Sequence, residues 1–293
     1  MDSPVAAPAW FQRALDMQPT SHQVTADGCR IHYLRWGPDV SEQRGLLFLH
    51  AGGAHAHWWS FIAPFLASNR PVVAMDFSGM GDSGRRDHYS SAHNVAEIAA
   101  VLADARLGLK PIVIGHSFGG FIAMCFGHRY SADLSGMVFV DTALRPAAES
   151  EADPVKPYTG KPRFSPDPGS LLARFRLGPA QPRENGFILE HIAKHSIAEH
   201  PEGWTWKFDP AARGADHHAE PLVEYVTGLD CRKALIYGAE SSMVTPEVAP
   251  FLTSLFKPGE PTICVPEAHH HLHLDQPLAF VAALRSILSV WQT

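Results

Sequence analysis

The stretch PIVIGHSFGGFIAMCFGH, Pro111–His128, passes from a run of β-branched residues to an apolar helical pattern through Gly115-His116-Ser117-Phe118-Gly119-Gly120. Isoleucine and valine bounded by proline and glycine read as a buried parallel strand, and Phe118–His128 reads as the helix that follows it. A serine between two glycines at such a junction occupies a sharp turn. Small flanking residues let the backbone fold tightly there and leave the hydroxyl exposed at the carboxyl edge of a sheet. Ser117 is therefore the first candidate for chemistry.

The same alternation extends in both directions. Leu46–His50, Val72–Asp76 and Met137–Asp141 read as further buried strands, and Val95, Ile98 and Leu102 keep helical spacing in one connector. Upstream, Ser21–Thr25 and Arg30–Trp36 flank Asp27-Gly28, a pair suited to a type I′ hairpin turn. After Arg145, eight prolines between Pro146 and Pro182 argue for an irregular segment leading into a helical stretch from Asn185 to His200. Alternation resumes with a strand at Lys233–Tyr237, a helix near Glu247–Leu255 and a strand at Thr262–Val265. It closes with a helix in which Phe280, Leu284, Ile287 and Trp291 share a face. No internal repeat is visible. The expected architecture is α/β: a doubly wound core of residues 1–144 and 227–293 around a mostly parallel eight-stranded sheet, with a largely helical insertion at 145–226.

Composition narrows the function. A chain of 293 residues, 45% hydrophobic and 18% charged, can bury a large core, which excludes a disordered chain. The net charge of −6, with no basic run longer than Arg85-Arg86, lacks the electrostatic footprint of a nucleic-acid or anionic-membrane binder. Apolar runs fall far short of the ~18–20 residues of a membrane span. No basic start followed by an apolar stretch opens the chain, so a cytoplasmic protein is expected. Cys29, Cys125, Cys231 and Cys264 lie far apart without a CxxC pair and read as reduced thiols. Histidine, at eighteen, is the unusual number.

A serine hydroxyl needs a base, normally histidine, and an acid to fix the tautomer of that histidine. The run Glu267-Ala268-His269-His270-His271-Leu272-His273-Leu274-Asp275-Gln276-Pro277 supplies imidazoles in the loop after the last strand, on the same sheet edge. Several imidazoles so close can also bind zinc or nickel. The chain offers neither a matching set of thiolates nor an H-E-x-x-H helix, so no metal is expected.

Five segments in order carry a family resemblance: LLFLHAGGAHAHWW (Leu46–Trp59), VVAMDFSGMGDSG (Val72–Gly84), IVIGHSFGG (Ile112–Gly120), ALIYGAE (Ala234–Glu240) and VPEAHHHLHLDQP (Val265–Pro277). The chain resembles the α/β-hydrolase superfamily, in the capped branch that holds small esterases, lactonases and C–C bond hydrolases. With serine rather than aspartate at position 117, the dehalogenase and epoxide hydrolase chemistries of that branch are not expected. Alignment of Asp275-Gln276-Pro277 with the family's usual tail implies His270 as base, with His269 replacing a customary glycine. His271 is the alternative one residue on, and His273 is expected to face protein or solvent. The resemblance implies an oxyanion hole from the Phe118 and Gly52 amides, with Ala51 standing where a glycine is customary. It places the acid most often three residues after Gly238, which here is Ser241 and cannot ionise. Asp141, at the end of the preceding core strand, is favoured, with Glu240 as the alternative. Asp76, Asp82 and Ser83 are expected to shape a turn.

The resemblance also implies that the insertion is a cap that controls substrate choice. His50, Trp58, His116, Trp206 and Lys207 are the candidate substrate-binding residues. Trp206 can equally belong to a short strand in the cap, and His217 and His218 are expected to be solvated. The expected reaction is hydrolysis of a small to medium carboxylic ester or lactone through an acyl-enzyme, without a cofactor. Its partner is a small-molecule substrate, with a homodimer left open. Two other readings stand beside it. C–C bond hydrolysis of a diketone-like substrate would require Lys207 or Arg174 to face the pocket, and a non-hydrolytic receptor would retain the fold, with or without the triad.

Overall fold

The computed structural model of the chain describes residues 6–144, 164–182, 184–214 and 220–291. Six strands precede the insertion: β1 (Thr20–Ala26), β2 (Cys29–Trp36), β3 (Leu46–Leu49), β4 (Val72–Met75), β5 (Ile112–His116) and β6 (Gly136–Val140). β7 (Ile197–His200) and β8 (Gly203–Trp206) lie within it, and β9 (Arg232–Gly238) and β10 (Thr262–Val265) follow. The main sheet has eight strands in the order β1-β2-β4-β3-β5-β6-β9-β10. β2 is antiparallel to both its neighbours, and the remaining pairings are parallel. The expected hairpin joins β1 to β2. Asp27 at φ 44° and Gly28 at φ 74° supply the two positive angles of a type I′ turn.

The strands β3, β4, β5 and β6 are buried along their whole length because both sheet faces are covered. Alternate residues feed two cores. Leu46, Phe48, Val72, Ala74, Ile112, Ile114, Val138 and Val140 pack on one side, with Phe280, Leu284, Ile287 and Trp291 of the last helix. Leu47, Leu49, Val73, Met75, Val113, Met137 and Phe139 pack on the other. Each large apolar side chain so buried contributes roughly 1.5–3 kcal/mol.

Helices α1 (Ala9–Asp16), α2 (Ser91–Asp104) and α3 (Phe118–Tyr130) come before the insertion. It contains α4 (Pro168–Leu172), α5 (Gly186–His195) and α6 (Leu222–Thr227), and α7 (Val248–Ser254), α8 (Leu272–Asp275) and α9 (Pro277–Trp291) complete the chain. Val95, Ile98 and Val101 of α2 and Ile122 and Met124 of α3 cover the second face. Among the described residues, no helix is long and apolar enough to cross a membrane. Cys29, Cys125 and Cys231 are buried and Cys264 is exposed, all as free thiols.

The insertion corrects one expectation. The helix starting near residue 185 ends at His195, and residues 197–200 form β7, which pairs antiparallel with β8 through Ile197↔Trp206 and Glu199↔Trp204. Cross-strand packing of Trp204 and Trp206 outweighs continued helix in a stretch that opens with β-branched Ile197. Residues 145–163, where the insertion begins, and His217 and His218 lie outside the described residues.

Candidate active site

Three side chains meet at the carboxyl edge of the sheet. Ser117 follows β5 directly and has φ 51° and ψ −115°, a left-handed backbone that costs energy for a residue with a Cβ. That geometry turns the chain from strand to helix in one residue. It works because the residues two and three positions away, Gly115, Gly119 and Gly120, lack side chains. A Cβ on Gly119 would stand 2.5 Å from Leu49 O and 2.7 Å from His50 O, so α3 packs directly on the end of β3. Gly119→Ala is therefore expected to destabilise the fold by ~1–3 kcal/mol through overpacking. It should also slow the reaction of Ser117 with a fluorophosphonate, because the displaced carbonyls precede Gly52. Unchanged melting temperature and labelling rate would show that the turn can yield.

His270 lies in the loop before α8, buried, with Nε2 3.0 Å from Ser117 Oγ and Nδ1 2.8 Å from Asp141 Oδ1. Asp141 follows β6 at φ 43° and is fully buried. Its Oδ1 also accepts from Ser241 Oγ at 2.6 Å, and its Oδ2 accepts from Gly238 N–H at 2.9 Å. Glu240 is exposed and meets the loop only through its backbone N–H, which donates to Ala268 O at 2.9 Å. Gly238 permits the close approach of that loop, since a Cβ there would lie 2.2 Å from Ala268 O.

Phe118 is the first residue of α3, at the positive end of the helix dipole. Gly52 lies against it, and a Cβ at Gly52 would be 3.6 Å from Phe118 Cβ. The Gly52 N–H has no hydrogen-bond partner among the described residues.

The five candidate substrate residues fall in different places. His50 is fully buried, donates from Nδ1 to Ala51 O (2.7 Å) and accepts the Phe77 N–H at Nε2 (3.1 Å). With both nitrogens used, it braces the loop and has none left for a ligand, which corrects the sequence reading. Lys207 is likewise committed, its Nζ 2.6 Å from Asp82 Oδ1. His116 is fully buried and donates from Nε2 to His270 O at 3.0 Å, so it supports the histidine loop. Trp58 is buried edge-on to His271, with ring centroids 5.1 Å apart. Trp206 is half-buried in β8, 6.3 Å from the Phe175 ring.

This doubly wound core carries its polar constellation at the strand ends. It is matched from residue 46 to residue 284 by the model of the alpha/beta hydrolase family. The chain belongs to the alpha/beta hydrolase family. It is similar to esterase Rv0045c of Mycobacterium tuberculosis, at 28% identity over 88% of this chain and 86% of that protein. A solved structure of that esterase superposes with a TM-score of 0.75 over 99% of this chain and 100% of that one. The mouse (Mus musculus) 1-acylglycerol-3-phosphate O-acyltransferase ABHD5 is 25% identical over 89% of this chain and 82% of its own length. E-2-(acetamidomethylene)succinate hydrolase shares the fold, with a TM-score of 0.79 at 18% identity, over 93% of this chain and 100% of that one. The chain is thus an enzyme of the hydrolase type.

Around the site, this alpha/beta hydrolase shows supports that its sequence did not announce. Ser241, dismissed as an acid, donates to Asp141. From the insertion, Gln181 accepts the His271 N–H at 2.9 Å and donates to Asp275 Oδ1 at 2.8 Å. Asn185 donates to Leu274 O and Asp275 O at 2.7 and 2.9 Å. Asp275 Oδ2 accepts the His269 N–H at 2.8 Å. Asp76 is fully enclosed. Burial would raise its pKa, yet the His32 ring at 2.7 Å holds the carboxyl well below its ordinary range. It also accepts the Ala56 and Asp82 N–H groups at 2.6 and 2.9 Å, so it ties the turn after Gly53 to the Asp76–Gly84 turn. His271 and His273 are buried beside His270, and His273 stacks on Trp59 at 4.6 Å. Desolvation pushes the pKa of His273 down to about 3 and that of His271 well below the ordinary value, so both are neutral near pH 7.

Proposed function

We propose that the enzyme hydrolyses a small to medium carboxylic ester or lactone through an acyl-enzyme on Ser117. The observation that carries the proposal is the continuous line Ser117 Oγ, His270 Nε2, His270 Nδ1, Asp141 Oδ1, with contacts of 3.0 and 2.8 Å. In the first half-reaction His270 Nε2 accepts the hydroxyl proton as Oγ bonds to the carbonyl carbon, and the C=O electron pair moves onto oxygen. The Gly52 and Phe118 amides face that charge. Collapse breaks the bond to the leaving oxygen, which takes the proton from His270 Nε2. For a lactone, the released hydroxyl stays on the acyl chain. Water then attacks the acyl carbon while His270 takes its proton, and return of that proton to Oγ frees the acid and the enzyme. Asp141 keeps the Nδ1 proton in place throughout.

Residues 145–226 act as the cap over this site in the same reading. Its support lies in their contacts with both loops involved: Phe208 against Gly53, and Gln181 and Asn185 against residues 271–275. Lys207 is held by Asp82, and Arg174 is exposed with its Nε on Ser170 O, so the cations that a diketone hydrolase would use are engaged elsewhere. That weighs for the ester reading.

The test is incubation of the purified protein with a fluorophosphonate, followed by intact and peptide mass spectrometry. One adduct on the peptide holding Ser117 is expected, absent in Ser117→Ala and slow in His270→Ala. A folded protein that stays unlabelled would overturn the proposal.

A further inference from the structure

Away from Ser117, three more histidines converge where α5 of the insertion meets the turn Ala56–Trp58 of the core. His57, His191 and His195 each present a ring nitrogen within 4.8 Å of the other two, and all three are partly exposed. The rings of His57 and His195 stack at 3.8 Å, and those of His191 and His195 lie 4.5 Å apart. We infer that these three imidazoles form a binding site for a divalent transition metal such as Zn2+, which would clip the insertion to the core.

Hydrogen bonding orients the donors. His195 gives its Nδ1 proton to His191 O at 2.8 Å, which leaves Nε2 with its lone pair. Ser60 Oγ donates to His57 O at 2.8 Å, so it accepts from His191 Nε2 at 2.7 Å and leaves the lone pair of His191 on Nδ1. Such outer partners fix tautomers at metal-ligating histidines. Neither ring nitrogen of His57 has a hydrogen-bond partner among the described residues. His191 and His195 are four apart on one helix face, and the third ligand comes from another element. Imidazole sets of this kind suit zinc, copper and nickel.

The electrostatics agree. Burial pushes all three pKa values down, His191 to about 4, so the ligands are unprotonated near pH 7. The facing cations are each matched by a carboxylate. Lys207 sits on Asp82 and Lys194 on Glu190, at 2.6 and 2.7 Å. His55, the remaining neighbour on the core turn, points its Nε2 to Ser196 Oγ instead. Because Ala56, beside His57, is tied to Asp76 a few residues after Gly52, an ion here would join α5 to the loop that the proposed mechanism uses.

The experiment uses the full chain, free of any affinity tag, with Zn2+ dialysis and Co2+ absorption as readouts that do not involve turnover. One ion per chain with a four-coordinate Co2+ spectrum is expected, together with a higher melting temperature in Zn2+. His57→Asn and His195→Gln should each weaken affinity by roughly 10–100-fold or more. His271→Gln, in the separate trio of His116, His270 and His271, should bind as the parent does. Equal affinity in all variants would mean adventitious binding. Loss only in His271→Gln would move the ion to that other trio. Either result overturns the inference, and the fluorophosphonate test of Ser117, run with a chelator present, is read independently of both.

Discussion

Asp141→Asn is expected to lower kcat on an aryl ester by about 10⁴-fold while the protein still folds, whereas Glu240→Gln leaves turnover unchanged. The size follows from which atoms surround the carboxylate. Oδ2 accepts from the Gly238 backbone N–H, a donor that cannot reverse its role, so the amide oxygen of an asparagine must occupy that position. Its NH2 then takes the place of Oδ1, facing His270 Nδ1 and Ser241 Oγ. Ser241 Oγ already accepts the Met243 and Val244 N–H groups, so its hydroxyl loses its acceptor, at a modest cost in stability. The imidazole can accept only at Nδ1, which moves its proton to Nε2 and blocks removal of the Ser117 proton. The structure of the site is kept and the tautomer is inverted. Intact turnover in Asp141→Asn together with loss in Glu240→Gln would assign the acid to Glu240 instead.

Stability should fall sharply between pH 7.5 and 5.5. His50, His55, His116, His271 and His273 are at most 3% exposed, and desolvation lowers the pKa of each from the ordinary 6.5. Above that value both native and unfolded chains hold these rings neutral, and nothing is lost. Below it the unfolded chain takes up protons that the native interior refuses, so stability falls with pH until each folded pKa is reached, about 3 for His55 and His273. At pH 5.5 a ring whose pKa is held well below that pH costs about 1.4 kcal/mol, so His55, His116, His271 and His273 together cost up to about 6 kcal/mol, comparable with the whole net stability of many domains, and His50 adds in the same direction. The pKa of Asp76 is lowered as well, so its contribution too is lost as pH falls, but in a lower window. Its contribution is complete above the ordinary 3.8 and is lost only at lower pH, so it plays no part in this interval. A fall in melting temperature of roughly 10–20 °C is expected by calorimetry. A flat profile would show that these rings take up protons without unfolding the chain.

The sheet was legible because its signals are local and redundant. Ile112–His116 is apolar on both faces, Asp27-Gly28 can form only a tight turn with ease, and the Ser117 motif joins a strand to a helix. Distance from Asp275-Gln276-Pro277 singled out His270, the ring whose Nε2 lies 3.0 Å from Ser117 Oγ. The choice between Asp141 and Glu240 was less legible, since almost a hundred positions separate them in the chain while the strands they follow end side by side. The contact of Asp141 Oδ1 with His270 Nδ1, together with the Gly238 and Ser241 contacts, tells them apart. His50 misled because a histidine beside an active-site loop looks the same in sequence whether its nitrogens are free or spent on Ala51 and Phe77. Residues 197–200 misled for a different reason. Their strand state depends on Trp204 and Trp206 across a turn, which a helical window cannot see. The trio of His57, His191 and His195 spans two elements more than a hundred residues apart, so no spacing rule could have joined it.

The contact between Ser241 Oγ and Asp141 Oδ1, at 2.6 Å, has a meaning for descent. β6 and β9 end side by side, so a carboxylate carried by either strand arrives at nearly the same point beside the imidazole. An ancestor could gain the second carboxylate before losing the first, and the pair Ser117 and His270 would never be without a partner. Under the proposed mechanism, the role of acid can therefore change hands between strands by single substitutions, with each intermediate still exposed to selection for turnover.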